Sequence, residues 1–184
     1  MTTPPTELDA LRLAAAARGD RRARRAFVEL YTGRVHALAH RMLAPRGLGH
    51  LVEDVAQEAF VDGLAALGRF RPDGAARLST WLLTIASRRA LDAIRSHERR
   101  TRREALAAPT HAVASPESSV AGRRLAELVG ALPVDQHAVF VLRAYHEFTL
   151  EEIAEALDLP LGTVKSRLAR ARADLRQALG EVAP

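Results

Sequence analysis

Lys165, Ser166 and Arg170 fall within LGTVKSRLARARADL, where Val164, Leu168, Ala171 and Leu175 recur at spacings of three and four. On a helix this pattern turns the four apolar residues toward a core and leaves Lys165, Ser166, Ala169, Arg170 and Arg172 facing out. An ammonium, a hydroxyl and a guanidinium on one face form a donor set suited to phosphate oxygens and base edges. Thr163 adds a hydroxyl in the first turn, where helix N–H groups attract anions. One bidentate contact to a base edge discriminates by about 1–3 kcal/mol. Taken alone, the same residues also describe an amphipathic helix with a solvated basic face.

The preceding residues favour nucleic acid. Between Glu147 and Asp158 stand Glu147, Glu151, Glu152, Glu155 and Asp158, with no base. Between Leu161 and Leu179 stand Lys165, Arg167, Arg170, Arg172 and Arg176, against the single acid Asp174. Thr149 and Glu152 have the spacing of a capping box, and the segment around Pro160 and Gly162 breaks the helix that follows it. An acidic support helix, a tight turn and a basic helix are the parts of a helix-turn-helix.

Two further surfaces carry chemistry. Asp54, Gln57, Glu58 and Val61 form one ridge of a helix whose other face is Val52, Val55, Ala56, Ala59, Phe60 and Leu64. By charge alone this is a solvated face. It also suits a basic protein partner, to which it would add on-rate and orientation. Trp81, the single tryptophan, opens a long helix after a Gly/Pro loop that contains Phe70. Its spacing places it in the core, whereas aromatics beside arginine also stack on unpaired bases. Residues 69–103 are strongly basic, and Arg88 and Arg95 lie on the outer face of that helix.

Composition narrows the field. The chain of 184 residues has net charge +5, no cysteine and 4% aromatics, and Lys165 is the one lysine among 27 bases. Disulfides, thiol catalysis and Cys-ligated zinc are excluded. His36 and His40 have the spacing of metal ligands but no third ligand nearby, so no metal is expected. No nucleophile motif or Gly-rich phosphate loop is present, and neither catalysis nor a cofactor is expected. The N-terminus lacks a secretory pattern, and no apolar run is long enough for a membrane span. The chain reads as cytoplasmic, without membrane insertion.

The elements that must position these residues are all helical. Alanine, leucine and arginine dominate, and all three favour helix. The periodicity gives helices over Glu7–Arg18 (capped by Thr6), Asp20–Leu43, Leu51–Leu67 and, capped by Ser79, onward to Arg103. It fails over Glu104–Ser118, then resumes for four short helices. The expectation is an all-α fold of two small helical domains, 1–103 and 119–184, joined by a flexible linker, 104–118, with the helix-turn-helix in the second.

Ala131-Leu132-Pro133 through Leu179, including TLEEIAEAL and PLGTVKSRLARARADLRQAL, is similar to the C-terminal domain of bacterial sigma factors of the extracytoplasmic-function (ECF) type. Asp54-Val55-Ala56-Gln57-Glu58-Ala59-Phe60 resembles that family's polymerase-docking helix. STWLLTIASRRALDAIR, Ser79–Arg95, resembles its promoter-melting helix, and Ala17–Tyr31 its opening helices. The resemblance implies a promoter-specificity subunit with core RNA polymerase, promoter DNA and an anti-sigma factor as partners. It implies that Asp54, Gln57 and Glu58 face the clamp helices of the β′ subunit, with further contact to the β subunit. Phe70, Trp81, Arg88 and Arg95 would then engage the −10 element, and Arg143, Thr163, Lys165, Ser166 and Arg170 the −35 element. Two positions depart from the family pattern: Ala169 is small where relatives can carry a larger contacting side chain, and Arg88 stands where asparagine is common.

A flexible chain of about 15 residues relaxes to roughly 20 Å, whereas elements about 17 base pairs apart lie roughly 58 Å apart at about 3.4 Å per pair. The free protein is therefore expected to bind a promoter weakly until polymerase spreads its two grips. The alternative is a stand-alone helix-turn-helix regulator acting without stable polymerase association. Such a protein needs a two-fold partner to span half-sites, and the acidic ridge disfavours self-pairing.

Overall fold

A computed structural model of the chain describes residues 7–74, 76–104 and 120–180. Among these residues the regular structure is helical throughout: α1 (Ala10–Ala17), α2 (Arg21–Leu43), α3 (Val52–Ala66), α4 (Leu78–Glu104), α5 (Val120–Ala131), α6 (Val134–Tyr145), α7 (Leu150–Leu157) and α8 (Leu161–Gly180). Single 3-10 turns cover Ala44–Arg46, Gly49–Leu51 and Leu67–Arg69. The expected linker falls at 104–118, and all of it after Glu104 lies outside the described residues.

Local side-chain caps open α1, α2 and α7. The Asp20 carboxylate accepts from the Ala23 N–H at 2.8 Å and begins α2, after Gly19 turns the chain at φ +98°. Thr149 and Glu152 form the expected reciprocal capping box of α7. Two starts differ from the sequence expectation. Helix α1 begins at Ala10, with Asp9 rather than Thr6 in the cap position; Thr6 lies outside the described residues. Helix α4 begins at Leu78, which places Ser79 inside its first turn, where its hydroxyl and N–H both donate to Glu7.

The N-terminal half packs α2, α3 and α4 around Phe27, Tyr31, Val35, Leu38, Phe60, Leu82, Ala86 and Ile94. Phe27 sits edge-on to both Tyr31 and Phe60. Gly63 brings α3 against α4, because a Cβ there would stand 2.7 Å from Leu82 Cδ1. In the C-terminal half α6, α7 and α8 bury Val139, Leu142, Phe148, Ile153, Val164, Leu168, Ala171 and Leu175.

The two halves are packed together in a single buried cluster. The backbone of Gly130 in α5 lies so close to Pro45 that a Cβ would meet the proline Cβ at 2.4 Å. Arg46 crosses the junction: its Nη2 donates to the Leu132 carbonyl at 2.6 Å, its Nε to His137 Nδ1 at 3.2 Å, and its Nη1 lies 3.9 Å from Glu98. His137 is fully buried, and burial followed by the Arg46 charge pushes its pKa from the usual 6.5 to about 3. Burial also lowers the pKa of Arg46. Beside them, Arg41 covers the Tyr145 ring at 4.8 Å, and burial then the Arg41 charge lower the His146 pKa to about 4.

Candidate nucleic-acid and partner surfaces

The exposed face of α8 is the one the periodicity requires. Val164, Leu168, Ala171 and Leu175 are buried, and Lys165, Ser166, Ala169, Arg170 and Arg172 are exposed. The Ser166 hydroxyl donates to the Thr163 carbonyl at 3.0 Å, so its oxygen points along the first turn with acceptor capacity to spare. The Thr163 N–H donates to the Pro160 carbonyl at 2.9 Å. Arg143 donates from Nη1 to the Phe148 carbonyl at 2.9 Å, bracing the turn where Glu147 has φ +58°. Arg143 as a whole is exposed, and its guanidinium has further N–H donors besides this one.

Trp81, Arg88 and Arg95 recur every seven residues along α4. They share one face, each about 10 Å from the next at 1.5 Å rise per residue. Phe70 and Trp81 are half-buried and stack with centroids 5.4 Å apart, tilted by 52°. Each ring is thus partly core and partly accessible, combining the two possibilities read from the sequence.

Arg88 and Arg95 face the other half of the molecule. Arg88 Nε donates to the Ala156 carbonyl at 2.7 Å and its Nη2 to Glu155 at 2.9 Å, at the C-terminal end of α7. These are carbonyls in the last turn of a helix, where a cation is favoured. Arg95 lies 3.6 Å from Asp135 of α6, whose other carboxylate oxygen accepts from Arg167 of α8 at 2.9 Å. A cleft of about 200 Å³ separates these groups and is lined by Leu91, Ala138 and Leu159 as well.

The acidic ridge on α3 is exposed at Asp54, Gln57, Glu58 and Val61, the last 66% accessible. Gln57 donates to Glu53 at 3.1 Å. Arg89 of α4 contacts Asp62 at 2.5 Å and approaches Glu58 at 3.6 Å, partly neutralising that end of the ridge. His36 Nε2 lies 3.4 Å from Glu53. Glu7, Arg46, Arg89, Asp135 and Arg167 join the list of organising residues, and each acts across a long sequence separation or between helices.

Two family matches coincide with the two halves. Residues 27–100 match Sigma-70 region 2, and residues 122–175 match Sigma-70, region 4. The ECF RNA polymerase sigma factor SigW of Bacillus subtilis (strain 168) is 32% identical over 179 residues, covering 90% of this chain and 93% of that protein. The chain belongs to the ECF family of RNA polymerase sigma factors. The sigma factor RpoE of Bartonella quintana, solved with the anti-sigma factor NepR, shares the fold at TM-score 0.69 and 20% identity, over 86% of this chain and 98% of that one. CnrH, solved with the cytosolic domain of CnrY, aligns at TM-score 0.63 and 27% identity over 94% and 97% of the respective chains. This sigma factor is accordingly a promoter-specificity subunit of RNA polymerase, which sets aside the stand-alone regulator. No helix among its described residues is long and apolar enough to cross a membrane.

Proposed function

We propose that residues 1–103 dock on core polymerase and open the −10 element, that residues 119–184 read the −35 element, and that residues 104–118 link them. Asp54, Gln57 and Glu58 meet the β′ clamp helices, with the β subunit as a second contact. Phe70 and Trp81 receive unpaired bases, and Arg88 and Arg95 track the adjacent backbone. Lys165, Ser166 and Arg170 read the −35 duplex in the major groove, with Arg143 and Thr163 on its phosphates. The chain works in the cytoplasm, has no catalytic activity of its own and is restrained by an anti-sigma factor. The carrying observation is the division of α8 into a buried apolar face and an exposed face of Lys165, Ser166 and Arg170.

Run-off transcription with core polymerase on genomic promoters tests the reading. The expected result is initiation at a defined set of start sites that requires this chain. Tight operator binding by the isolated chain, with no effect on initiation, would refute it.

A further inference from the structure

Helix α4 carries Ser79 in its first turn. The residue before the helix is Arg77, whose side chain offers no acceptor for the open N–H groups of that turn. The acceptor comes from Glu7, 72 positions away. One carboxylate oxygen of Glu7 accepts from the Ser79 N–H at 3.3 Å and from the buried Tyr31 hydroxyl at 2.6 Å. The other accepts from the Ser79 hydroxyl, with Arg34 Nη1 3.8 Å away. The Tyr31 hydroxyl in turn accepts from the Leu8 N–H at 3.2 Å. Burial, then the hydrogen bond to Glu7, raises the Tyr31 pKa, so the phenol remains a donor.

Four donors from α2 and α4 thus converge on one side chain of the N-terminal segment. An ionised carboxylate has the lone pairs to serve all of them, and its charge is favoured at a helix N-terminus. A glutamine has one acceptor oxygen, and its NH₂ would confront donors. Two residues past Ser79 stands Trp81, stacked on Phe70 at the other end of the loop that enters α4.

We infer that Glu7 is a positioning residue for promoter opening: its carboxylate caps α4 in trans and thereby fixes the Trp81–Phe70 pair that receives unpaired bases. The inference rests on the assignment of that pair to the −10 element. It gives a residue of the N-terminal segment a role in the melting step, without contact to DNA or polymerase.

The chain carries its own probe, because Trp81 is its single tryptophan. In Glu7→Gln, acrylamide quenching of Trp81 increases while the far-ultraviolet circular dichroism and core-polymerase binding stay at wild-type levels. Initiation from a duplex promoter falls roughly tenfold, the scale of a lost charge-assisted hydrogen bond. A template with its −10 region already unpaired recovers most of that loss. Ser79→Ala, which removes only the hydroxyl donor of α4, reproduces the pattern more weakly and keeps the test decisive if Glu7→Gln folds poorly. Unchanged Trp81 quenching in folded variants overturns the inference. Equal losses on duplex and unpaired templates, with weaker polymerase binding, also overturn it and leave Glu7 as a general fold staple. If the wild-type chain initiates nowhere, the promoter reading fails and the inference with it; if only the contrast between variants and templates is missing, the inference alone fails.

Discussion

Arg88 of α4 holds the backbone carbonyl of Ala156, at the end of the helix-turn-helix support helix, at 2.7 Å. The same guanidinium therefore serves the closed molecule and, in the proposed function, the −10 strand. It cannot do both at once. Arg88→Ala should loosen the junction by about 1 kcal/mol, since the group is exposed and its bonds compete with water. Adding Arg46→Ala should let the halves separate. Small-angle scattering of the free protein checks this through a rise in radius of gyration, largest in the double variant. Arg88→Lys should not restore the compact form, because an ammonium lacks the planar fork that spans two carbonyls. A double variant as compact as wild type would show that other contacts hold the halves.

On the acidic ridge, Glu58 is partly neutralised by Arg89 and Asp54 is the more available charge. Asp54→Ala should weaken polymerase binding more than Glu58→Ala, and the pair together should abolish co-purification with core polymerase. Binding to a −35 duplex should be unaffected. Retained co-purification in the double variant would move the docking surface elsewhere.

Lys165→Ala and Arg170→Ala remove donors from the exposed face of α8 without touching its buried one. Each should cost about 1–3 kcal/mol against the correct −35 sequence and lower the salt slope only slightly. Competition binding with scrambled duplexes separates the two effects. A loss that is the same for every sequence would assign these residues to phosphates alone.

Acid should weaken the fold through His137. Its folded pKa, about 3, lies below the usual 6.5, so the unfolded chain takes up the proton first as pH falls. This contribution to stability is complete above pH 6.5 and is lost as pH drops toward 3, about 2 kcal/mol of it by pH 5. His146, pushed to about 4, acts in the same direction. Denaturant unfolding at pH 7 and pH 5 measures the loss. His137→Gln, which keeps an acceptor toward Arg46 without a titrating ring, should flatten the dependence.

What the sequence disclosed was local. The two faces of α8 follow from spacings of three and four, and the α7 capping box needs only Thr149 and Glu152. The α3 ridge is likewise periodic. Ser79 misled for a local reason: a serine near the start of an apolar repeat has the look of a cap, yet the helix starts one residue earlier and its acceptor is Glu7. No window of sequence reveals a bond across 72 positions. The same holds for Arg46 with Leu132 and His137, at separations of 86 and 91. Nor did the basic character of α4 disclose that Arg88 and Arg95 meet the other half. A tether length constrains how far two domains can part and says nothing of whether they adhere.

Arg88 grips peptide carbonyls and no side chain of α7. The clasp is therefore blind to the side chain of the exposed Glu155, while Ala156 is held by the core it is buried in. Residue identity at 155 can drift, and with it the charge of the support helix, while the clasp survives as long as the helical register does. In the proposed function, the −35 preference and closure are thereby free to be tuned independently, the first through side chains of the helix-turn-helix and the second through the path of its main chain.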